Sequence, residues 1–424
     1  MTVFRGTMAH TLARKIVIGA ALLAAAAILA GCSGFWNQVT SSTGSTTTTT
    51  TTTTLSSGPF FVLNQTVMQL AAYTISSGTL EQISGSPYTL FSTPNCFAVS
   101  PNGQFLYVGT TGGIYAYSIG INGALTEMNL NQAISSDTPL AMQVSPDGVW
   151  LVDAFINSTS GQVQFDAIPL NVSGTYTPGA IVPSATLQTI STTETVKQIT
   201  ISPKGDYLFA ALGSGGAVAI PFTSGDPSPF GALAKNIPVA TSNQAVLSIA
   251  VDPTERLFYV GETNADSAGT SGGLLAYNYS SLASTTPTQI TGSPIASGGL
   301  SPSAILPEAS GNYVYVANGQ GETTPGSIDW FSITASGTTG SGTTASTATY
   351  SIAAGGSIST GIFPVGLAED VEDHFVLAVS TGGTTTSGNP DLEAYTMSSG
   401  ALTAAITSVT GTDPVGAWAI VALP

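Results

Sequence analysis

PNCFAVSPNGQFLYVGTTGGIYAYSI, residues Pro94–Ile119, decides the architecture, because most of the remaining chain repeats it. It reads as three short strands. Cys96–Val99 is apolar, Ser100-Pro101-Asn102-Gly103 turns the chain, and Phe105–Val108 returns. Pro sets φ at the first corner of such a turn, Asn suits the second, and Gly takes the exit position. The Gly-rich turn Thr110–Gly113 then leads into Ile114–Ile119.

The stretch recurs six times. PLAMQV precedes Ser145-Pro146-Asp147-Gly148, VKQITI precedes Ser202-Pro203-Lys204-Gly205, and VLSIAV precedes Asp252-Pro253-Thr254-Glu255. Weaker copies begin at Pro302 (PSAILPEASGNYVYVANG) and Pro364 (PVGLAEDVEDHFVLAVS). The last, DPVGAWAIVALP from Asp413, keeps only a first strand. Aligning Ser100, Ser145, Ser202, Asp252, Glu308, Asp370 and Ile420 spaces the copies by 45 to 62 residues. Several short strands per repeat at such a period point to an all-β propeller of four-stranded antiparallel blades. A fourth strand follows turns such as Asn122-Gly123. Six full copies and one first strand leave a seventh blade three strands short. PFFVLNQ from Pro59, LAAYTI from Leu70 and TLEQISG from Thr79 supply them. The expected fold is a seven-bladed β-propeller over 59–424, its ring closed by pairing Ala417–Ala422 with the N-terminal strands. Closure leaves no blade unpaired at either end.

The turn-and-strand motifs SPNG, FLYVG, SPDG and VANG resemble those of the seven-bladed lactonase-type propellers (the 6-phosphogluconolactonase type) and the related YVTN-repeat surface proteins. The resemblance covers roughly residues 59–424. It implies the propeller fold and, as an activity, opening of a lactone ring by water that a carboxylate activates.

Only 7% of the 424 residues are charged, against about 25% in ordinary globular chains, while 42% are hydrophobic. The first 31 residues read as a signal peptide, with Arg5, Arg14 and Lys15 ahead of the apolar run Ile16–Leu29. Leu29-Ala30-Gly31-Cys32 matches a bacterial lipobox, so Cys32 is the expected lipidated residue. An uncleaved membrane anchor is the other reading, although a span takes about 20 apolar residues. Ser33 after the cysteine fits sorting to the outer membrane in a host with two membranes. Residues 32–58, with threonine throughout Thr46–Thr54, read as an extended tether. The expected location is therefore the cell envelope, lipid-anchored and extracytoplasmic.

Three of the seven cations fall in the signal and all 23 acidic residues lie beyond it, so the remaining chain carries about −19. Nucleic acid and anionic headgroups are repelled by such a charge. With Cys32 lipidated, Cys96 stands alone and reads as a small buried apolar residue or, failing that, a reactive thiol.

In a four-stranded meander, the loops between strands 2 and 3 and the connectors between blades share one face of the ring. Long 2–3 loops occur at Gly261–Gly273, Asn318–Gly326 and Ser380–Pro390, which favours that face for a binding surface. The connectors and first-strand starts offer Asn95, Asp137, Glu194, Lys197, Ser303 and Asp413 at the channel mouth. Lys197 is the cation of that set. It either holds an anionic ligand or pairs with Glu194 or Asp137. For a hydrolase, Asp137 or Glu194 is the candidate base and Lys197 the charge that steadies the anion. Glu369, Asp370, Glu372 and Asp373 form an acidic turn that suits either solvent or a hard cation. No cofactor or metal motif is present. Two functions follow: an envelope module that binds a protein, a carbohydrate or another small molecule on the loop-bearing face, or a lactonase.

Overall fold

The computed structural model describes residues 55–171, 182–183, 195–231, 234–239, 244–265, 269–284, 286–321, 324–337, 348–370, 372, 374–382, 390–408 and 413–424. The signal assigned to 1–31, the tether assigned to 32–58 as far as residue 54, the candidate base Glu194 and the acidic Asp373 lie outside these residues. So do residues 266–268, 322–323 and 383–389 of the three long loops. The chain forms seven antiparallel sheets. Blade 2 holds the strands of the founding repeat, Pro94–Val99, Phe105–Thr110, Gly113–Ile119 and Leu125–Glu127. Blades 3 to 7 begin with Ala141–Val144, Gln198–Ile201, Val246–Val251, Pro302–Pro307 and Pro364–Glu369. Each inner strand contacts the inner strand of the next blade all the way round, so the ring is closed. Blade 1 closes it as the repeat count requires. Ala417–Ala422 pairs antiparallel with Phe60–Asn64, which leads to Gln69–Ser76 and Thr79–Gln82.

Second strands are buried on both faces because each blade is packed between two others. Leu257–Glu262 is buried at every position, and Phe258 and Tyr259 enter different clusters, one on each side of blade 5. A strand covered on both faces reads as a continuous apolar run, which is why FLYV and YVYV recur without alternation. Seven apolar clusters result, one at each seam between neighbouring blades.

Polar clasps near the channel add to this packing. Gln65 Nε2 donates to Pro94 O at 3.0 Å and Asn95 Nδ2 to Pro139 O at 3.2 Å. Gln143 Oε1 accepts from Ile201 N at 2.6 Å, and Gln198 Oε1 from Ile249 N at 3.0 Å. Ser248 Oγ donates to Pro302 O at 2.7 Å, and Ser303 Oγ to Pro364 O. Each bond runs from one blade to the next.

The turn chemistry is the sequence motif made explicit. Ser145 Oγ donates to Asp147 Oδ1 at 2.6 Å and accepts from the buried Trp150 N at 2.9 Å. Gly103, Gly148, Gly205 and Gly311 close their turns at φ between 66° and 76°, where a Cβ is strained. Ser145→Ala strips a buried N–H of its acceptor. It should cost about 1–2 kcal/mol, read as a lowered denaturant midpoint with an unchanged slope. A midpoint equal to the parent's would show that Trp150 N finds another partner.

Blade 5 breaks the glycine rule. Glu255 occupies the matching position at φ 54°. Its carboxylate explains the exception, since Oε1 accepts from Lys204 N at 2.6 Å and Oε2 lies 2.7 Å from Lys204 Nζ in blade 4.

Candidate functional site

At their mouth end, five inner strands carry a β-bulge, which inserts one unpaired residue and re-aims its side chain. The residues so placed are Asn95, Leu247, Ser303, Val365 and Trp418. In blades 3 and 4 Leu140 and Lys197 take the same place, donating backbone N–H to Ala154 O at 2.8 Å and Ala211 O at 2.9 Å. All of these except Leu247 line a cavity of about 470 Å³ at this end of the channel. Its deeper wall is apolar, with Phe97, Met142, Leu367 and Ile420. Lys197 of blade 4 and Trp418 of blade 1 therefore stand on opposite sides of the opening.

Most of the polar groups here are already committed. Asn95, Ser303 and Gln65 donate to proline carbonyls of the next blade, and Gln198 retains only its amide nitrogen. Trp418 Nε1 donates to Asn95 O at 2.9 Å, and the side chain is 43% exposed. Its ring face, not its N–H, is what it can offer a ligand.

Lys197 is exposed and makes no ion pair among the described residues. The other three cations beyond the signal are bound to blade seams. Lys204 pairs with Glu255 and Arg256 with Asp252, at 2.7 and 3.1 Å. Lys235 Nζ donates to the carbonyls of Leu282 and Ser284 in blade 5.

The remaining sequence candidates divide. Asp137 is half-buried outside the cavity wall. It accepts a hydrogen bond from Ser135 Oγ and donates its own N–H back to that hydroxyl at 3.1 Å. Asp413 accepts from Asp391 N at 2.9 Å and from Ser408 Oγ, also away from the cavity. No carboxylate lines the cavity among the described residues. In the acidic turn, Glu369 Oε2 accepts from Ala309 N of blade 6 at 2.9 Å, and Asp370 Oδ1 from His374 N and Phe375 N. Glu372 lies 3.3 Å from the His374 ring.

Cys96 is buried and its thiol donates to Pro139 O at 3.7 Å. Burial, then the nearby Asp153, pushes that thiol well above its ordinary range, so it is a protonated donor rather than a nucleophile.

Trp418 and Gln198 were not singled out from the sequence. Aligning Ile420 with Ser100 gives Trp418 the outward place of Ala98. The strand pairing corrects this by three residues. Ala419 faces Leu63 as Cys96 faces Gly109, so Trp418 matches Asn95. The last copy lacks the turn residues that fix the register elsewhere, and a bulge leaves no mark in a hydrophobic pattern.

No protein-family model and no curated protein sequence matches the chain. Solved structures do. A candidate 6-phosphogluconolactonase from Bacteroides fragilis superposes with a TM-score of 0.60 at 16% identity, covering 87% of this chain and 98% of its own. The periplasmic gluconolactonase of Pseudomonas aeruginosa gives 0.61 at 17%, covering 87% and 100%. A protein of unknown function from Desulfotomaculum acetoxidans gives 0.60 at 14%, with 87% and 100% covered. What the chain shares with all three, over nearly their whole lengths, is the seven-bladed β-propeller fold.

Proposed function

We propose that this propeller is an extracytoplasmic binding module, tethered to the cell envelope through Cys32, that takes a small ligand bearing one anionic group at the channel mouth. The observation that carries this reading is the placement of Lys197. Of the four cations beyond the signal, it alone has no tie to a neighbouring blade among the described residues, and it lines the cavity opposite an exposed indole. One ammonium group holds one carboxylate or phosphate. The Trp418 face packs on a ring, and the amide of Gln198 supplies a further donor. A cavity of about 470 Å³ is within the range of small-molecule sites, about 300–1,000 Å³. The periplasmic address of the Pseudomonas aeruginosa protein, together with the lipobox, supports the envelope location.

Lactone hydrolysis is the second reading, favoured by the fold shared with a gluconolactonase. It requires a base at the mouth, for which Glu194 is the candidate. Calorimetry of the full chain with glucuronate and with glucose tests the first reading. Glucuronate is expected to bind more tightly than glucose, and Lys197→Ala to weaken it about tenfold or more, the loss of one charge-assisted contact. Equal binding of acid and neutral sugar would remove Lys197 from the site. Turnover of glucono-1,5-lactone or its 6-phosphate that vanishes with Glu194→Ala would replace the binding reading with the hydrolase.

A further inference from the structure

The opposite end of the channel opens into a second cavity, of about 490 Å³, which borders Phe97 and Met142 as the first does. It owes its character to the repeat. The turns after the inner strands of blades 2 to 5 each place a proline at the rim, Pro101, Pro146, Pro203 and Pro253, and Pro424 joins them. A proline has no N–H to offer, so this rim is poor in backbone donors. Behind it lie Val99, Val144, Ile201, Val251 and Val421.

No ionisable side chain lines this cavity among the described residues. Of the charges adjacent in sequence to its rim, Lys204 pairs with Glu255 and Asp252 with Arg256 in the blade seams, and Asp147, next to Pro146, accepts from Ser145 Oγ and Val149 N within its own turn. Its hydroxyls and amides are also largely used. Ser100 Oγ is bonded to Asn102 Oδ1 at 2.6 Å and to Phe105 N at 2.9 Å, and Gln143 Oε1 takes Ile201 N. What remains is the Thr200 hydroxyl, which has no hydrogen-bond partner among the described residues, and the Gln143 amide nitrogen.

We propose that this proline-rimmed cavity is a second small-molecule site, for an uncharged ring-bearing ligand with one hydroxyl or carbonyl group. Its size is that of a ligand pocket, and apolar walls with a few placed polar groups are the usual composition of one. Proline rings pack well on aromatic faces, as they do when Pro-rich segments dock into aromatic grooves. A charge brought here would lose its hydration with nothing to replace it, so the site discriminates against ions. The mouth, with Lys197, selects for an anion. The two ends of one channel thus differ in the ligands they admit, and this assignment stands whether or not the mouth reading holds.

The test uses 1-naphthol, an uncharged two-ring probe, titrated by fluorescence into the full chain. Saturable binding is expected. Thr200→Glu places a carboxylate in the uncharged wall and is expected to weaken binding about tenfold or more. Thr200→Val removes one hydrogen bond and is expected to weaken it about threefold to tenfold. 1-Naphthalenesulfonate is expected to bind at least about tenfold more weakly than the naphthol. Should Thr200→Glu fail the circular-dichroism check of folding, Pro203→Glu at the exposed rim decides in its place. Absence of saturable binding, equal binding of the sulfonate, or a probe lost with Trp418→Ala but kept with Thr200→Glu overturns the assignment.

Discussion

Asp153→Val is expected to stabilise the propeller at neutral pH by about 1–3 kcal/mol, the cost of a buried polar group left without a partner. Asp153 lies in the second strand of blade 3, fully buried, facing Met142 and Asp166 in the flanking strands. Neither carboxyl oxygen has a hydrogen-bond partner among the described residues. The matching positions of blades 2 and 4 to 7 are Val108, Ala210, Val260, Val316 and Ala378, all core residues. Burial first, then the charges of Asp137 and Asp166, push the carboxyl well above its ordinary range, and Cys96 is the other titratable group beside it. The folded state therefore keeps a proton that the unfolded chain releases near pH 4. Stability from this group is complete below that pH and is lost as pH rises towards the raised folded value, by about 1.4 kcal/mol per unit at most. The gap in melting temperature between parent and Asp153→Val should widen from pH 4 to pH 8. A gap that stays constant, or a variant that melts lower than the parent, would mean that the carboxyl has a partner and is ionised in the folded state.

The architecture was legible because one local device, a Ser/Asp-Pro turn between two apolar strands, is repeated often enough to count. Ring closure followed from the same count, since three N-terminal strands and one C-terminal strand were left over and together make one blade. The site was only partly legible. Asn95, Lys197 and Ser303 were placed at the mouth from their position before a first strand, and they stand there. Their roles were not legible. Asn95 and Ser303 point at carbonyls of the next blade, contacts 44 and 61 residues away in sequence that no local pattern encodes. Trp418 was hidden by a bulge. Asp137 follows Ser135 in a connector whose backbone turns it into a local hydrogen bond instead of into the channel. Glu255 was a seam residue with a visible signal, an acid where the turns of blades 2, 3, 4 and 6 carry glycine. That substitution makes sense only once Lys204 is seen beside it.

Arg256→Met should be the most damaging change among the seam cations, costing about 3 kcal/mol, the low end for breaking a buried ion pair. Arg256 Nε lies 3.1 Å from Asp252 Oδ2, and Nη2 donates to Gly311 O of blade 6 at 2.6 Å. The guanidinium also sits 5.8 Å from the centroid of the Tyr350 ring. The Arg side chain is 26% exposed and the Asp fully buried, so the pair is shielded from solvent mainly on the acid's side. Methionine keeps much of the stem's apolar contact and removes the charge, leaving Asp252 with only Thr254 N and Thr254 Oγ1, each at 2.7 Å. The penalty then belongs to the stranded carboxylate rather than to the lost bond to Gly311. A double-mutant cycle separates the two. Ser100, Ser145 and Ser202 hold the Asp252 position in the preceding blades and close the turn with a neutral hydroxyl. Asp252→Ser should accordingly recover most of the stability lost in Arg256→Met, leaving the double variant above the single one in thermal melts. Additive losses in the cycle would assign the cost to the Gly311 and Tyr350 contacts. Lys204→Met should lose less than Arg256→Met, because the Lys204 side chain is 71% exposed and its ammonium is screened by water, and the buried Glu255 keeps the Lys204 backbone N–H on Oε1 after the substitution.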